Sequence, residues 1–264
     1  MSADQKERAV AAIVGCVVSD AAAQPLHWIY NLGKLDGIVG SRRDSVEFWE
    51  PSHNPFYCIE TGQGTSYADQ TQTLLESLVA CEGFNKADFA QRLKATFGPG
   101  SRYDNQLNSK YVMKSGKQKG YPIDGPWNPK VMKDFLAKYA QGMQFTGSRD
   151  VADMGAVVPV VAMVAMYAGR TEMLEKVEEA LTVLYELEEA VAVGMAAARI
   201  LEQFVLHPGM DGVAAIGAVM QQLSDPKRAN PNDLDRAVIG QLKNVLEKKT
   251  SEHRHAAKKF FLNS

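Results

Sequence analysis

Residues 64–78, GTSYADQTQTLLESL, place polar side chains immediately before an apolar helical pattern. Asp69 supplies a carboxylate here, and oxygen donors of this kind bind hard cations such as Mg²⁺. Asp69 followed three residues later by Gln72 also fits a helix capping box. A cap leaves Tyr67 and Gln70 unexplained. The stretch therefore predicts either a helix start or a set of ligands for a metal or a substrate.

A second candidate is SDAAAQPLHW, residues 19–28. Asp20 lies near the end of a small-residue helix, where an acid opposes the negative end of the helix dipole. This unfavourable position indicates a functional carboxylate, unless another helix supplies a partner. A lone histidine such as His27, beside Leu26 and Trp28, is more often a packing residue than a catalyst.

The elements that position these residues alternate between helices and long irregular segments. A helix is predicted over residues 5–23, ending at Pro25, and two more at about 70–83 and 86–97. Between them, residues 29–64 are rich in Gly, Pro, Ser and Asn. A second irregular stretch runs over 98–129. Irregular segments of this length inside a compact domain usually form lids or binding loops.

From Lys130 onward the pattern is almost entirely helical. The stretch 155–168 is apolar on all sides, which predicts a buried central helix. Further helices are predicted as two within 171–206, one over 213–223, one over 234–246 capped by Asn232, and a last one over 251–261. Strand alternation and internal repeats are absent. The sequence predicts an all-α fold, as a single compact multi-helix domain over residues 1–264 with two long irregular loops.

Composition restricts the class of function. The net charge is −2, from 29 basic and 31 acidic residues without a dense basic block, so neither nucleic acid nor an anionic membrane is an expected partner. Uninterrupted runs of 18 apolar residues are absent, so no membrane span is expected. The apolar run 9–18 imitates a signal peptide, but acidic residues flank it, which favours a buried first helix.

The cysteines indicate the compartment. Cys16, Cys58 and Cys81 are an odd number, and their spacing matches no zinc pattern. They are expected to be reduced, packed thiols of a cytoplasmic protein.

Several motifs together carry a family resemblance. GCVVSDAAAQPLHWIY followed by YADQTQ, with FGPGS, DGPWNP and GAVVPVVAMVAMYAG, resembles the ADP-ribosylglycohydrolase family, and within it the J1-crystallin branch. The first two motifs are specific as a pair rather than singly, and the resemblance extends over most of the chain. It implies an all-α fold with a binuclear magnesium site at its centre.

The resemblance also implies roles for individual residues. Catalytic members carry Gly-Asp-Ala with a later Glu in the first motif, and Tyr-Thr-Asp-Asp-Thr in the second. In this chain Ser19 replaces the Gly, His27 the Glu, Ala68 a ligating Thr and Gln70 a ligating Asp. Carried over by position, the candidate residues are Asp20 and His27 for catalysis, Asp69 and Thr71 for metal, and Tyr67, Gln70, Gly98, Gly100 and Tyr103 for substrate.

These replacements favour a loss of metal. Two magnesium ions bring four positive charges, and the one certain carboxylate, Asp69, cannot balance them. The family's C-terminal Gly-Gly-Asp-x-Asp/Asn motif is not found before Ser264, and the chain looks truncated there. Magnesium, implied by the resemblance, is therefore expected to bind weakly or not at all.

Three hypotheses follow. The first is a J1-crystallin-like protein that is not catalytic: structural, lens-type, or a relic that still binds ADP-ribose or a related small molecule. The second is a magnesium-dependent hydrolase that removes ADP-ribose from modified proteins, with His27 as its acid–base group. The third is a helical scaffold unrelated to nucleotides. The residues leave the oligomeric state open.

Overall fold

A computed structural model describes residues 1–105, Asn108 and 121–250. Ten α-helices make up most of this part of the chain, which confirms the all-α prediction. They are α1 (Ala3–Ala23), α2 (Leu32–Val39), α3 (Ser66–Ala80), α4 (Lys86–Phe97), α5 (Lys130–Ala140), α6 (Val158–Tyr167), α7 (Met173–Leu181), α8 (Glu188–Leu206), α9 (Gly212–Ser224) and α10 (Asp235–Lys248).

The centre of the fold is α6. Its residues are apolar on every side, so it can be surrounded, and α1, α3, α7 and α8 all pack against it. A 3₁₀ turn, Met154–Val157, leads into it. Within 155–168 every residue is buried or half-buried, so the predicted buried segment is confirmed.

The two irregular segments meet in a small sheet. Strand β1 (Tyr57–Cys58) pairs in parallel with β2 (Ile123–Asp124), in the register Tyr57 to Ile123. Aromatic side chains of Trp28, Phe56 and Trp127 cover this pair. Strands of two residues are too short to produce an alternating pattern, so the sequence did not predict them.

Three element boundaries differ from the prediction. Residues 29–64 are not all loop, because Asn31 caps α2 by accepting a hydrogen bond from the Lys34 N–H. Gly33 and Gly37 obscured that short helix in the sequence. Helix α3 begins at Ser66, ahead of the expected start. Helix α10 begins at Asp235, and Asn232 is not its cap, since its side chain accepts from the Leu234 N–H instead.

The expectation of a buried first helix is wrong. Only Ala9 and Ala21 of α1 are buried, while Val10, Val14 and Val18 are exposed. Counted with the turn after it, as Ala3–Leu26, this is the one helix in the described ranges that is long and apolar enough to cross a membrane. Length and composition are weak evidence for a span, because core helices and signal sequences pass the same criterion.

All three cysteines are free thiols. Cys16 is half-buried, whereas Cys58 and Cys81 are exposed, so the expectation of packed thiols holds for only one of them. The cytoplasmic location stays a prediction. The helix expected over 251–261 lies outside the described residues.

Candidate functional site

Asp20 joins the end of α1 to the start of α3. Its Oδ2 accepts the Thr65 backbone N–H at 2.6 Å, and its Oδ1 accepts the Thr65 hydroxyl at 2.7 Å. Thr65 is the N-cap of α3, so the carboxylate lies at the positive end of that helix dipole. Burial raises the pKa of Asp20, the Thr65 bonds oppose the shift, and the charge of Asp69 adds to it. The unfavourable position in α1 is thus offset by a partner helix.

Asp69 lies in the first turn of α3, and its carboxylate is already paired. Oδ2 accepts from Arg102 Nη2 at 2.5 Å and Nε at 3.1 Å, and from the Tyr103 hydroxyl at 2.6 Å. The capping box predicted for Asp69 and Gln72 is wrong, because Thr65 caps the helix and Gln72 donates to Glu76. Asp69 instead attaches the 98–105 loop to α3.

Arg102 is a site residue that the sequence analysis missed. Its guanidinium also donates to the Gly64 carbonyl at 3.3 Å and lies over the Tyr103 ring, 5.4 Å from the centroid. It is therefore a fixed cation at the carboxylate that the resemblance assigns to a metal. Its only sequence signal was its position in the loop FGPGSRYD, between Gly100 and Tyr103, two of the candidate substrate-binding residues.

The other α3 candidates bond to their own helix. The Gln70 amide donates to the Ser66 carbonyl at 3.0 Å, and its Oε1 has no hydrogen-bond partner among the described residues. The Thr71 hydroxyl donates to the Tyr67 carbonyl at 3.1 Å and is fully buried. Neutral oxygens of this kind do not replace carboxylates at a magnesium site.

The donor set does not fit a binuclear magnesium site. Nowhere in residues 1–105, Asn108 or 121–250 do three or more His, Cys, Asp or Glu side chains group as metal ligands. The two candidate carboxylates are Asp20, bonded to Thr65, and Asp69, paired with Arg102. A cation at Asp69 would compete with that guanidinium for the charge of the carboxylate.

His27 lies in an aromatic environment. Its Nδ1 is 3.2 Å from the Tyr57 hydroxyl, and its ring centroid is 4.6 Å from that of Trp28. Tyr57 and Tyr67 approach the imidazole edge-on. Burial lowers the pKa of His27 to about 4, so the ring is neutral at pH 7. A neutral imidazole lacks the acidic imidazolium proton that a general acid donates, and can only accept a proton at its free nitrogen.

This burial predicts a pH-dependent stability. Between its unfolded pKa of 6.5 and about 4, His27 takes up a proton only in the unfolded chain, so the free energy of unfolding falls as pH falls. We expect a loss of up to about 3 kcal/mol from His27 between pH 7 and pH 4. Urea unfolding of wild type and His27→Gln across this range measures it. A variant with an unchanged pH dependence would contradict the assignment.

Gly98, Gly100 and Tyr103 shape the loop that carries Arg102. At Gly98, a Cβ would lie 2.4 Å from the Lys94 carbonyl oxygen, so this position ends α4 only as glycine. The Gly100 N–H donates to Asp104 at 2.8 Å. Tyr103 is 1% exposed, which leaves it no open surface for a ligand. In this structure the three residues position the loop, and a role in substrate binding stays a prediction.

A third carboxylate, Asp153, was not selected from the sequence. Its Oδ1 accepts from the Tyr185 hydroxyl and from the Gly155 N–H, both at 3.0 Å. Burial first, then the charges of Asp153 and Asp20, raise the pKa of Tyr67 to about 12. The charges of both carboxylates therefore act on Tyr67. The one sequence signal for Asp153 was a cap-like Asp ahead of the apolar α6 stretch.

Comparisons with known proteins agree with the motifs. A family model described as ADP-ribosylglycohydrolase matches residues 1–260. Two similar proteins are Crystallin J1A and Crystallin J1B of Tripedalia cystophora, 33% and 32% identical over 208 residues. The aligned region covers 78% of this chain and 61% of each crystallin. The resemblance found in the sequence is thereby confirmed.

Proposed function

We propose, from the premise that the chain belongs to the ADP-ribosylglycohydrolase family, that it is a J1-crystallin-like protein without hydrolytic activity. One observation carries the proposal. The Asp69 carboxylate, which a catalytic relative would give to a metal, is bonded to Arg102 and Tyr103. The centre that performs chemistry elsewhere in the family is here a structural joint between α1, α3 and the 98–105 loop.

The balance of charges at the site supports a protein without metal-dependent activity. Asp20 and Asp69 bring two negative charges, and Arg102 removes one. A net charge of about −1 against the four positive charges of two Mg²⁺ ions gives little electrostatic reason for the pair to bind. Gln70 and Thr71 add only neutral oxygens. Magnesium binding at these residues is proposed to be weak or lost.

Proton transfer is the second requirement that the site does not meet. Cleavage of a glycosidic bond needs an acid to protonate the leaving group and a base or nucleophile at the sugar. His27, at the position of the expected Glu, is neutral at pH 7 because burial lowers its pKa to about 4. The Asp20 carboxylate already accepts two hydrogen bonds from Thr65. The site therefore favours a structural or ligand-retaining protein over a hydrolase.

The experiment is release of ADP-ribose from modified Arg and Ser peptides, with Mg²⁺ and with EDTA. We expect no release above the protein-free rate under either condition. The Asp69→Asn variant should behave as wild type, because the carboxylate no longer serves a reaction. Turnover that EDTA abolishes would overturn the proposal.

Calorimetry addresses the ligand separately. Titration with ADP-ribose asks whether the chain is a binding relic, and titration with Mg²⁺ asks whether any cation site survives. We propose ADP-ribose or a related small molecule as the partner to test first, in a cytoplasmic protein. Heat on titration with ADP-ribose in the absence of Mg²⁺ would support a ligand-binding protein. If neither ADP-ribose nor Mg²⁺ gives heat, the structural role is the one supported.

The second candidate function is a magnesium-dependent hydrolase that removes ADP-ribose from modified proteins. Asp153 is the observation that favours it, because this further carboxylate, whose charge acts on Tyr67 together with that of Asp20, would contribute negative charge. Its side chain is exposed, although Tyr185 and Gly155 already donate to it. This candidate predicts that Asp153→Asn abolishes any EDTA-sensitive turnover.

A further inference from the structure

The outward side of α1 is an apolar surface that nothing in the described chain covers. Val10, Val14 and Val18 are 58%, 55% and 49% exposed. Small exposed residues lie beside them along the helix. We call this set the α1 outer face: Val10, Ala11, Val14, Gly15, Val18 and Ser19. It carries no charge, because the segment between Arg8 and Asp20 contains no Asp, Glu, Lys or Arg.

The face continues into a groove. A depression of about 550 Å³ follows Ser19 between α1 and α2, and most of its lining is apolar: Ala22, Ala23, Leu26, Leu35, Val39 and Val46. The charged residues of its lining are Asp36, Arg43 and Glu47. A continuous exposed apolar surface rimmed by polar residues is typical of an interaction site.

We propose that the α1 outer face binds the same face of a second copy of this chain, with the two α1 helices antiparallel. A two-fold axis between Val14 and Gly15 brings residue n of one copy opposite residue 29 − n of the other. Val10 then lies opposite Ser19, Val14 opposite Gly15, and Val18 opposite Ala11. Each valine meets a small residue.

This alternation gives the face a shape that fits itself. A Cβ built at Gly15 would have no atom within 4 Å, so its own chain leaves the space there empty. Small residues between large ones let two helices approach closely, with side chains of one filling gaps of the other. A parallel pair would instead place each valine against its own copy, and leave the gaps at Ala11 and Ser19 empty.

Charges at the two ends favour the antiparallel direction. Lys6 and Glu7 lie at the amino end of the face, and both are exposed. In the antiparallel pair, they lie opposite Ala23 and Ala22 of the other copy, which line the groove. The groove lining also contains Glu47 and an exposed Arg43–Asp36 pair at 2.7 Å. Each end of the antiparallel pair would therefore bring Lys6 and Glu7 of one copy towards charges of both signs on the other. A parallel pair would place Lys6 against Lys6.

The area is sufficient for a weak dimer. A helical face of this length, about 15 Å at 1.5 Å per residue, together with the groove, offers on the order of 500 Å² per copy. The total of about 1,000 Å² is at the lower limit of specific interfaces. We therefore expect a dissociation constant in the micromolar range. At lower concentrations the dimer should dissociate into monomers.

The test is the mass of the full chain in solution. Light scattering and sedimentation at about 100 µM should give the dimer, and dilution to about 0.1 µM should give the monomer. Val14→Asp, which buries an unpaired carboxylate at the axis, should weaken dimerisation at least about 100-fold. The matched control is Val79→Asp on α3, where the valine is 77% exposed, and it should leave the dissociation constant unchanged.

Cross-linking tests the direction even if Val14→Asp fails to fold. In a Cys58→Ser, Cys81→Ser background, Val10→Cys chains mixed with Ser19→Cys chains should form a disulfide between copies, whereas Val10→Cys chains alone should not. A wild type that is monomeric at 100 µM, or that binds phosphatidylcholine vesicles as a monomer, overturns the proposal. So does a dimer that Val14→Asp leaves intact, or Val10→Cys chains that cross-link with themselves.

Discussion

Replacing Asp69 by alanine is expected to lower the free energy of unfolding by about 3 kcal/mol. The substitution leaves the Tyr103 hydroxyl, in a side chain 1% exposed, without its acceptor at 2.6 Å. Arg102 loses its carboxylate at the same time. An unsatisfied buried donor costs about 1–3 kcal/mol, and a hydrogen bond to a charged group adds about 1.5–3 kcal/mol before solvent compensates the partly exposed arginine. Urea unfolding at one fixed protein concentration measures the sum.

Two variants control this measurement. Asp69→Asn keeps an oxygen for Tyr103 and loses only the charge, so we expect a cost of about 1 kcal/mol. Asp36→Ala removes an aspartate that also pairs with an arginine, Arg43, but at an exposed position. Its cost should stay within about 1 kcal/mol, as for other surface pairs. Equal costs for Asp69→Ala and Asp36→Ala would mean that Asp69 is not a structural joint.

Replacing Gly147 by alanine is expected to cost about 3 kcal/mol of unfolding free energy. A Cβ at this position would lie 2.8 Å from the Glu186 backbone N and 2.8 Å from the Tyr185 carbonyl carbon. Both neighbours are backbone atoms, which cannot rotate away. The adjacent Ser148 exchanges hydrogen bonds with this segment, donating to Leu184 O at 2.7 Å and accepting from Glu186 N at 2.8 Å. Moving the segment apart would disturb both.

The Gly147→Ala substitution should also disturb the candidate site, because Tyr185, which the added Cβ would contact, donates a hydrogen bond to Asp153. Gly240→Ala is the matched control. Gly240 lies inside α10, and an added Cβ there meets nothing within 4 Å. Alanine at an open helical position should stabilise the fold by about 0.5–1 kcal/mol. Opposite signs for the two substitutions are therefore expected, and a tolerated Gly147→Ala would show that the 2.8 Å contacts relax at little cost.

Much of the fold was readable because its signals are local. Helical periodicity and capping residues act within a few positions, so α4 was predicted at its observed bounds, and the apolar 155–168 stretch as the buried segment around α6. The paired motifs around Asp20 and Asp69 identified the family for the same reason. Short elements were not predicted. The glycines in α2 weakened its helical pattern, and strands of two residues are too short to show an alternating pattern.

The sequence by itself determined which groups are available: a family motif pair, with Ala68 and Gln70 at positions where the resemblance implies metal ligands. The tertiary structure alone decided what those groups do. Arg102 reaches Asp69 across 33 residues, and Asp20 reaches Thr65 across 45. Side-chain charges at such separations meet only through the folding of the chain between them. The exposure of the α1 outer face has the same origin, because burial of an apolar helix depends on which elements the rest of the chain places beside it.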